Sequence, residues 1–132
     1  MKLSSKARYG IFAVAQLAKN YGKLTSVSEL ATATGVTEKY LEQIIAILKQ
    51  NDIVVAKRGS MGGYELSKHP QEITVGQVLR PLENNLEIVD CVSGKCTAHN
   101  SKCMAQKLWC NLYANINTYL DSVTLQQLLE DK

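Results

Sequence analysis

Hydrophobic positions recur every three or four residues near the start of the chain. Tyr9, Phe12, Ala13 and Leu17 form one stripe, and Ile11, Val14 and Ala18 widen it, so an amphipathic helix is predicted. Ser4 or Ser5 stands where an N-cap is needed, and Gly22 follows the expected end near Asn20. A helix this apolar is expected to be buried on most sides. Ser26-Val27-Ser28-Glu29 fits a capping box that opens a second, short helix, and Gly35 interrupts it. Thr37 caps a third helix with Leu41, Ile44, Ile45 and Leu48 on one face. Glu38, Lys39, Glu42, Gln43 and Lys49 occupy the other.

After Asp52 the period changes from helical to extended. Ile53 to Lys57 is rich in β-branched residues and predicts a strand. Arg58-Gly59-Ser60-Met61-Gly62-Gly63 is a glycine-rich turn, and Tyr64-Glu65-Leu66 returns as the partner strand. Pro70 closes that unit, and Thr74 to Leu82 predicts another helix, stopped near Pro81. Residues 83–101 have no clear period and are expected to be a loop. A long helix is expected from about Lys102, with Leu108, Trp109, Leu112, Ile116, Tyr119, Leu120 and Val123 at helical spacing. Thr124 to Gln127 fits a further capping box opening a terminal turn.

Two short helices joined through a glycine define a helix-turn-helix, with Ala31 small at the crossing and Val36, Leu41 and Ile44 in the shared core. The hairpin that follows makes this a winged helix-turn-helix, mainly α with a small β-hairpin wing. In that arrangement the helix from Thr37 lies in the major groove of double-stranded DNA, the groove that admits a helix and distinguishes all base pairs. Thr37, Glu38, Lys39, Glu42 and Gln43 can reach base edges or phosphates, with solvated helix surface as the alternative for Lys39 and Glu42. Arg58 and Ser60 lie at the wing, where Arg58 can enter a minor groove or grip phosphate.

The 132 residues suit one ordinary domain with an appended helix, and the net charge is only +3. The distribution of charge is more informative. Residues 1–70 carry ten bases against five acids, and the remainder five bases against seven acids. A basic N-terminal half suits phosphate contact. No apolar run approaches the ~20 residues of a membrane span, and the first residues lack the pattern of a signal peptide, so a cytoplasmic address is expected. With only His69 and His99, no Ser/His/Asp set and no phosphate-binding Gly-Lys-Ser/Thr loop, catalysis is not expected.

All four cysteines lie in Cys91-x4-Cys96-x6-Cys103-x6-Cys110. Thiolates are the usual ligands of iron–sulfur clusters and structural zinc, although no pair has the CxxC spacing of a zinc knuckle. Cys110 follows Cys103 by two helical turns, about 10 Å along the axis. That is too far to share a cluster without unwinding or a partner chain. A small buried hydrophobe beside Trp109 is its alternative role. His99 is a further candidate ligand.

Met1 to Gly10, Tyr40-Leu41-Glu42-Gln43 and Arg58 to Tyr64 together resemble the signatures of the Rrf2 family, as do Leu108-Trp109 and Ser122 to Leu125. Its members include iron–sulfur and nitric-oxide sensors and a cysteine-metabolism repressor. The resemblance covers nearly the whole chain. It implies a DNA-binding transcriptional regulator that is a homodimer on a pseudo-palindromic operator. Residues 1–82 would be the DNA-binding domain, 83–101 the cysteine-containing loop, and 102–132 the dimerisation helix and C-terminal turn. Glu42, Gln43 and Arg58 would be the main reading residues. In cluster-binding members three cysteines here hold a [2Fe–2S] cluster, and Cys91, Cys96 and Cys103 look like that set, with Cys96 displaced by one position. A histidine three residues past the last of them is here Gln106, which leaves Cys110 as a candidate fourth ligand. Other members carry no cluster, so control by cysteine oxidation, zinc or a partner protein is the alternative.

Overall fold

The computed structural model describes residues 3–60, 62–83 and 104–130. The chain opens with α1 (Ser5–Lys19), capped by the Ser4 side chain, which accepts from the Ala7 N–H at 3.1 Å. Its buried face is Ala7, Gly10, Ala13, Val14, Leu17 and Ala18. Phe12 is 49% exposed, which corrects the expected stripe. The buried face is centred near Val14, and two residues turn a helix by about 200°, so Phe12 points away from it.

Helix α2 (Val27–Thr34) is capped by Ser26, whose Oγ accepts from the Glu29 N–H at 3.1 Å. It ends at Gly35 in the left-handed conformation (φ 75°), which an L side chain adopts only with strain. Thr37 caps α3 (Glu38–Gln50) by accepting from the Tyr40 N–H at 3.2 Å. Leu41, Ile44, Ile45 and Leu48 are buried on its inner face, as the spacing predicts.

Strands β1 (Val54–Lys57) and β2 (Gly63–Leu66) pair antiparallel, Val54 opposite Leu66 and Lys57 opposite Gly63. A third, one-residue rung is added by Thr25, which exchanges both backbone hydrogen bonds with Tyr64 at 2.9 and 2.8 Å. The wing is thereby fastened to the segment that leads into α2. Gly63 permits this approach, since a Cβ there would lie 2.8 Å from the Thr25 carbonyl oxygen.

A 3₁₀ turn (Pro70–Glu72) leads to α4 (Val75–Leu82), which opens on a full capping box between Thr74 and Gln77. Pro81 sits inside its last turn rather than stopping it, because little helix remains to lose a bond. Helix α5 (Gln106–Ser122) begins later than the expected Lys102. Met104 and Ala105 form a turn, and no side chain caps the first residues. After α5, Val123 and Thr124 pair with the start of α4: Val75 donates to the Val123 carbonyl at 2.8 Å, and Leu125 donates to Ile73 at 2.9 Å. Helix α6 (Leu125–Glu130) then lays the fully buried Leu125 into the core and packs against α1 and the 3₁₀ turn. Thr124 and Gln127 form the capping box foreseen there.

One core serves the described chain. Leu17, Leu30, Leu41, Ile44, Val54, Val78 and Leu125, from α1, α2, α3, β1, α4 and α6, all belong to it.

Candidate nucleic-acid interface

Helix α3 divides cleanly into an apolar inner face and a polar outer one. Thr37, Glu38, Lys39, Glu42 and Gln43 are all exposed while Leu41, Ile44 and Ile45 between them are buried. Burial of the inner side chains sets the rotation of the helix, so its outward row is determined by the core. None of these five is held in a salt bridge among the described residues.

Arg58 and Ser60 are exposed in the turn between β1 and β2. Gly59 there has φ 115°, and the Gly62 N–H donates to the Gly59 carbonyl at 2.9 Å, which closes the tip tightly. At its base Lys57 pairs with Glu65 at 3.4 Å, while Arg58 has no carboxylate partner among the described residues. The tip thus offers an exposed cation at the end of a two-strand stem whose first strand packs against α3.

A second cation near α3 escaped the sequence reading. Tyr9 of α1 and Tyr40 of α3 meet edge to face with ring centroids 6.0 Å apart, and the guanidinium carbon of Arg8 lies 5.8 Å from the Tyr9 centroid. Helical spacing alone marks Tyr9 as apolar stripe and cannot reveal the distant tyrosine it meets.

Helix α5 is bound to α4 by a polar clasp. Arg80 donates to both carboxylate oxygens of Asp121, at 2.7 and 3.0 Å, and to Asn117 Oδ1 at 2.8 Å. The hydrogen bond from Arg80 is the main cause that holds the Asp121 carboxyl below the usual carboxylate range. The same bond raises the Arg80 guanidinium. Gly76 makes room for the pair, since a Cβ there would lie 2.5 Å from Asp121 Oδ1.

The expected single apolar stripe on α5 is in fact two. Trp109, Tyr113, Ile116 and Leu120 are half-buried, whereas Leu108, Leu112 and Tyr119 are 57%, 41% and 68% exposed. The second set recurs at intervals of four and seven on a side of the helix that nothing in the chain covers among the described residues.

Of the cysteines, Cys91, Cys96 and Cys103 lie outside the described residues, as does His99 and almost all of the expected loop. Cys110 is a free thiol and exposed, which corrects the alternative of a buried small hydrophobe. It lies one turn beyond Gln106, about 6 Å along the helix. Because α5 opens at Gln106, the unbroken helix behind the expected Cys103–Cys110 separation is absent at Met104 and Ala105. Among the described residues no three metal-ligating side chains come together. His69 is committed elsewhere: its Nδ1 accepts from the Gln71 N–H at 3.1 Å, and its ring meets Tyr21.

A helix-turn-helix with an adjoining wing, carried on one core, defines the chain as a winged-helix protein. It matches the Rrf2 family, described as an iron-dependent transcriptional regulator, over residues 3–131, and belongs to that family. The HTH-type transcriptional regulator CymR of Bacillus subtilis is 34% identical over 129 residues, covering 97% of this chain and 89% of that protein. The solved structure of CymR, the global cysteine regulator of B. subtilis, superposes with a TM-score of 0.85 at 32% identity, covering 100% and 98% of the two chains. The IscR of T. potens superposes at 0.81 and 32% identity, covering 99% and 88%. The chain is therefore an Rrf2-family transcriptional regulator.

Proposed function

We propose that the protein works as a homodimer that reads a pseudo-palindromic operator with α3 in the major groove and the Arg58 wing beside it. A cysteine-ligated [2Fe–2S] cluster sets the DNA-binding equilibrium. The observation that supports the DNA-reading part is the outer row of α3, five polar side chains exposed at the surface, Thr37 among them also capping the helix, while the inner face is locked in the core. Gln43 suits bidentate pairing with adenine, Glu42 suits the cytosine amino group, and Thr37, Glu38 and Lys39 suit phosphate or base-edge contact. Arg58 and Ser60 supply the wing contacts. A cytoplasmic address goes with such a target.

Leu108, Leu112 and Tyr119 support pairing of α5 with a second copy. An apolar row at near-heptad spacing is what a helix buries against its twin. Two reading heads related by a two-fold axis then match two inverted half-sites.

For the cluster, Cys91, Cys96 and Cys103 would supply three thiolates. Gln106 is a neutral amide and a poor iron ligand, while the exposed Cys110 one turn further offers a fourth thiolate. The donor chemistry thus suits a [2Fe–2S] group, which when bound supplies a redox-sensitive charge next to α5. A cluster that favours one arrangement of the α5 pair shifts the spacing of the reading heads and so the affinity for DNA. Regulation by cysteine chemistry without a cluster is the second reading, favoured by the likeness to a protein described as a global cysteine regulator.

Iron, sulfide and zinc content of protein purified without oxygen separates the two. About two irons and two sulfides per chain, lost in Cys103→Ala with the dimer intact, is the expected result. Zinc, or no metal after anaerobic handling, would transfer the switch to the thiols themselves.

A further inference from the structure

We infer that Arg8 is a DNA-phosphate-binding residue, held beside the first turn of α3 by the Tyr9–Tyr40 contact. The inference rests on the DNA-reading role proposed above and adds a contact from α1, outside both the reading helix and the wing.

Tyr40, the third residue of α3, donates its N–H to the Thr37 cap at 3.2 Å. Tyr40 is therefore fixed to the end of α3 that carries the reading side chains. Tyr9 meets it edge to face and also meets Phe12 at 6.0 Å, so its ring is held from two sides. Arg8 is exposed, and its guanidinium lies over the Tyr9 ring, an arrangement that limits where a long flexible side chain can go. A cation so placed loses less conformational entropy on meeting a phosphate than a free one does.

The charges around it point the same way. Arg8 has no carboxylate partner among the described residues, and the exposed Lys39 stands next to Tyr40 in sequence. At this end of α1 the Glu83 carboxylate accepts from the Ser4 N–H at 2.8 Å. Because α3 enters the groove with its N-terminal turn foremost, the surface beside that turn faces the flanking sugar–phosphate backbone.

A phosphate contact is independent of sequence, so the test needs no operator. Binding of a random-sequence 30-base-pair duplex by the full chain is followed by fluorescence anisotropy across a salt series, for wild type, Arg8→Gln and Arg8→Lys. One phosphate per protomer predicts that the log–log salt slope of the dimer falls by about 2 in Arg8→Gln. Affinity at 0.1 M salt should fall roughly tenfold for each protomer's contact. Arg8→Lys should restore the slope. A wild type with a steep slope that Arg8→Gln leaves unchanged overturns the inference alone. A wild type that binds the duplex with no salt dependence overturns the DNA-reading proposal with it.

Discussion

A methyl group added at Gly10 would fall on Leu82 Cδ1, the far end of a buried side chain, so α1 and α4 cross closely at this glycine. Gly10→Ala is expected to destabilise the fold by about 1–3 kcal/mol, the usual cost of overpacking a tight contact. Urea denaturation reads this directly, and an unchanged midpoint would mean that the crossing yields easily. Arg58 is the contrasting case, exposed and without a salt bridge among the described residues. Arg58→Ala should leave stability unaltered and weaken operator binding by about 1–3 kcal/mol, with the loss concentrated at particular base pairs. Equal losses on operator and random DNA would reduce the wing to a phosphate grip.

The elements are joined by two different kinds of contact. Helix α3 is seated by apolar burial, whereas α5 is tied to α4 by the Arg80–Asp121–Asn117 clasp and by the backbone bonds at Thr74 and Thr124. Asp121 has its carboxyl lowered in the folded state, so its contribution is present above the ordinary carboxylate range and is lost as pH falls through the lowered value. Wild type should therefore exceed Arg80→Ala in thermal stability at neutral pH, and the two should converge in acid. A difference that persists to the lowest accessible pH would assign the effect of Arg80 to packing. Four caps were legible in the sequence because Ser4, Ser26, Thr37 and Thr124 are local signals, each read within four residues, whereas α5 has no such cap and its start was not. The clasp was not, since Arg80 and Asp121 are 41 residues apart. Nor were the Tyr9–Tyr40 contact and the return of Leu125 to the core, because periodicity identifies an apolar face without naming what covers it. The same limit explains Phe12, which lies off the buried face of α1, and the stripe of α5, which divides into a half-buried and an exposed row.

At the scale of the whole molecule Leu108, Leu112 and Tyr119 are distinguished from other exposed apolar residues, such as Phe12 and Tyr21, by forming a row along one helix. Pairing with a second copy covers that row, and it also supplies the two-fold symmetry that an inverted-repeat operator requires. Leu112→Glu is expected to give a folded monomer by sedimentation velocity at micromolar concentration. Its DNA affinity should fall with the loss of linked half-sites. A variant that sediments as wild type would place the dimer contact elsewhere. The outer row of α3 was foreseen in full from Thr37 to Gln43, because the inner face that orients it is written in four apolar residues. The cysteine chemistry was readable only as a donor set.

Whether α3 and the wing of two protomers read DNA together is decided by selecting duplexes from a random pool with the protein. Enrichment is expected of an inverted repeat whose half-site centres lie about one helical turn, 10–10.5 base pairs, or a multiple of it apart. Recovery of an asymmetric single site, or no enrichment over the starting pool, would contradict such joint reading.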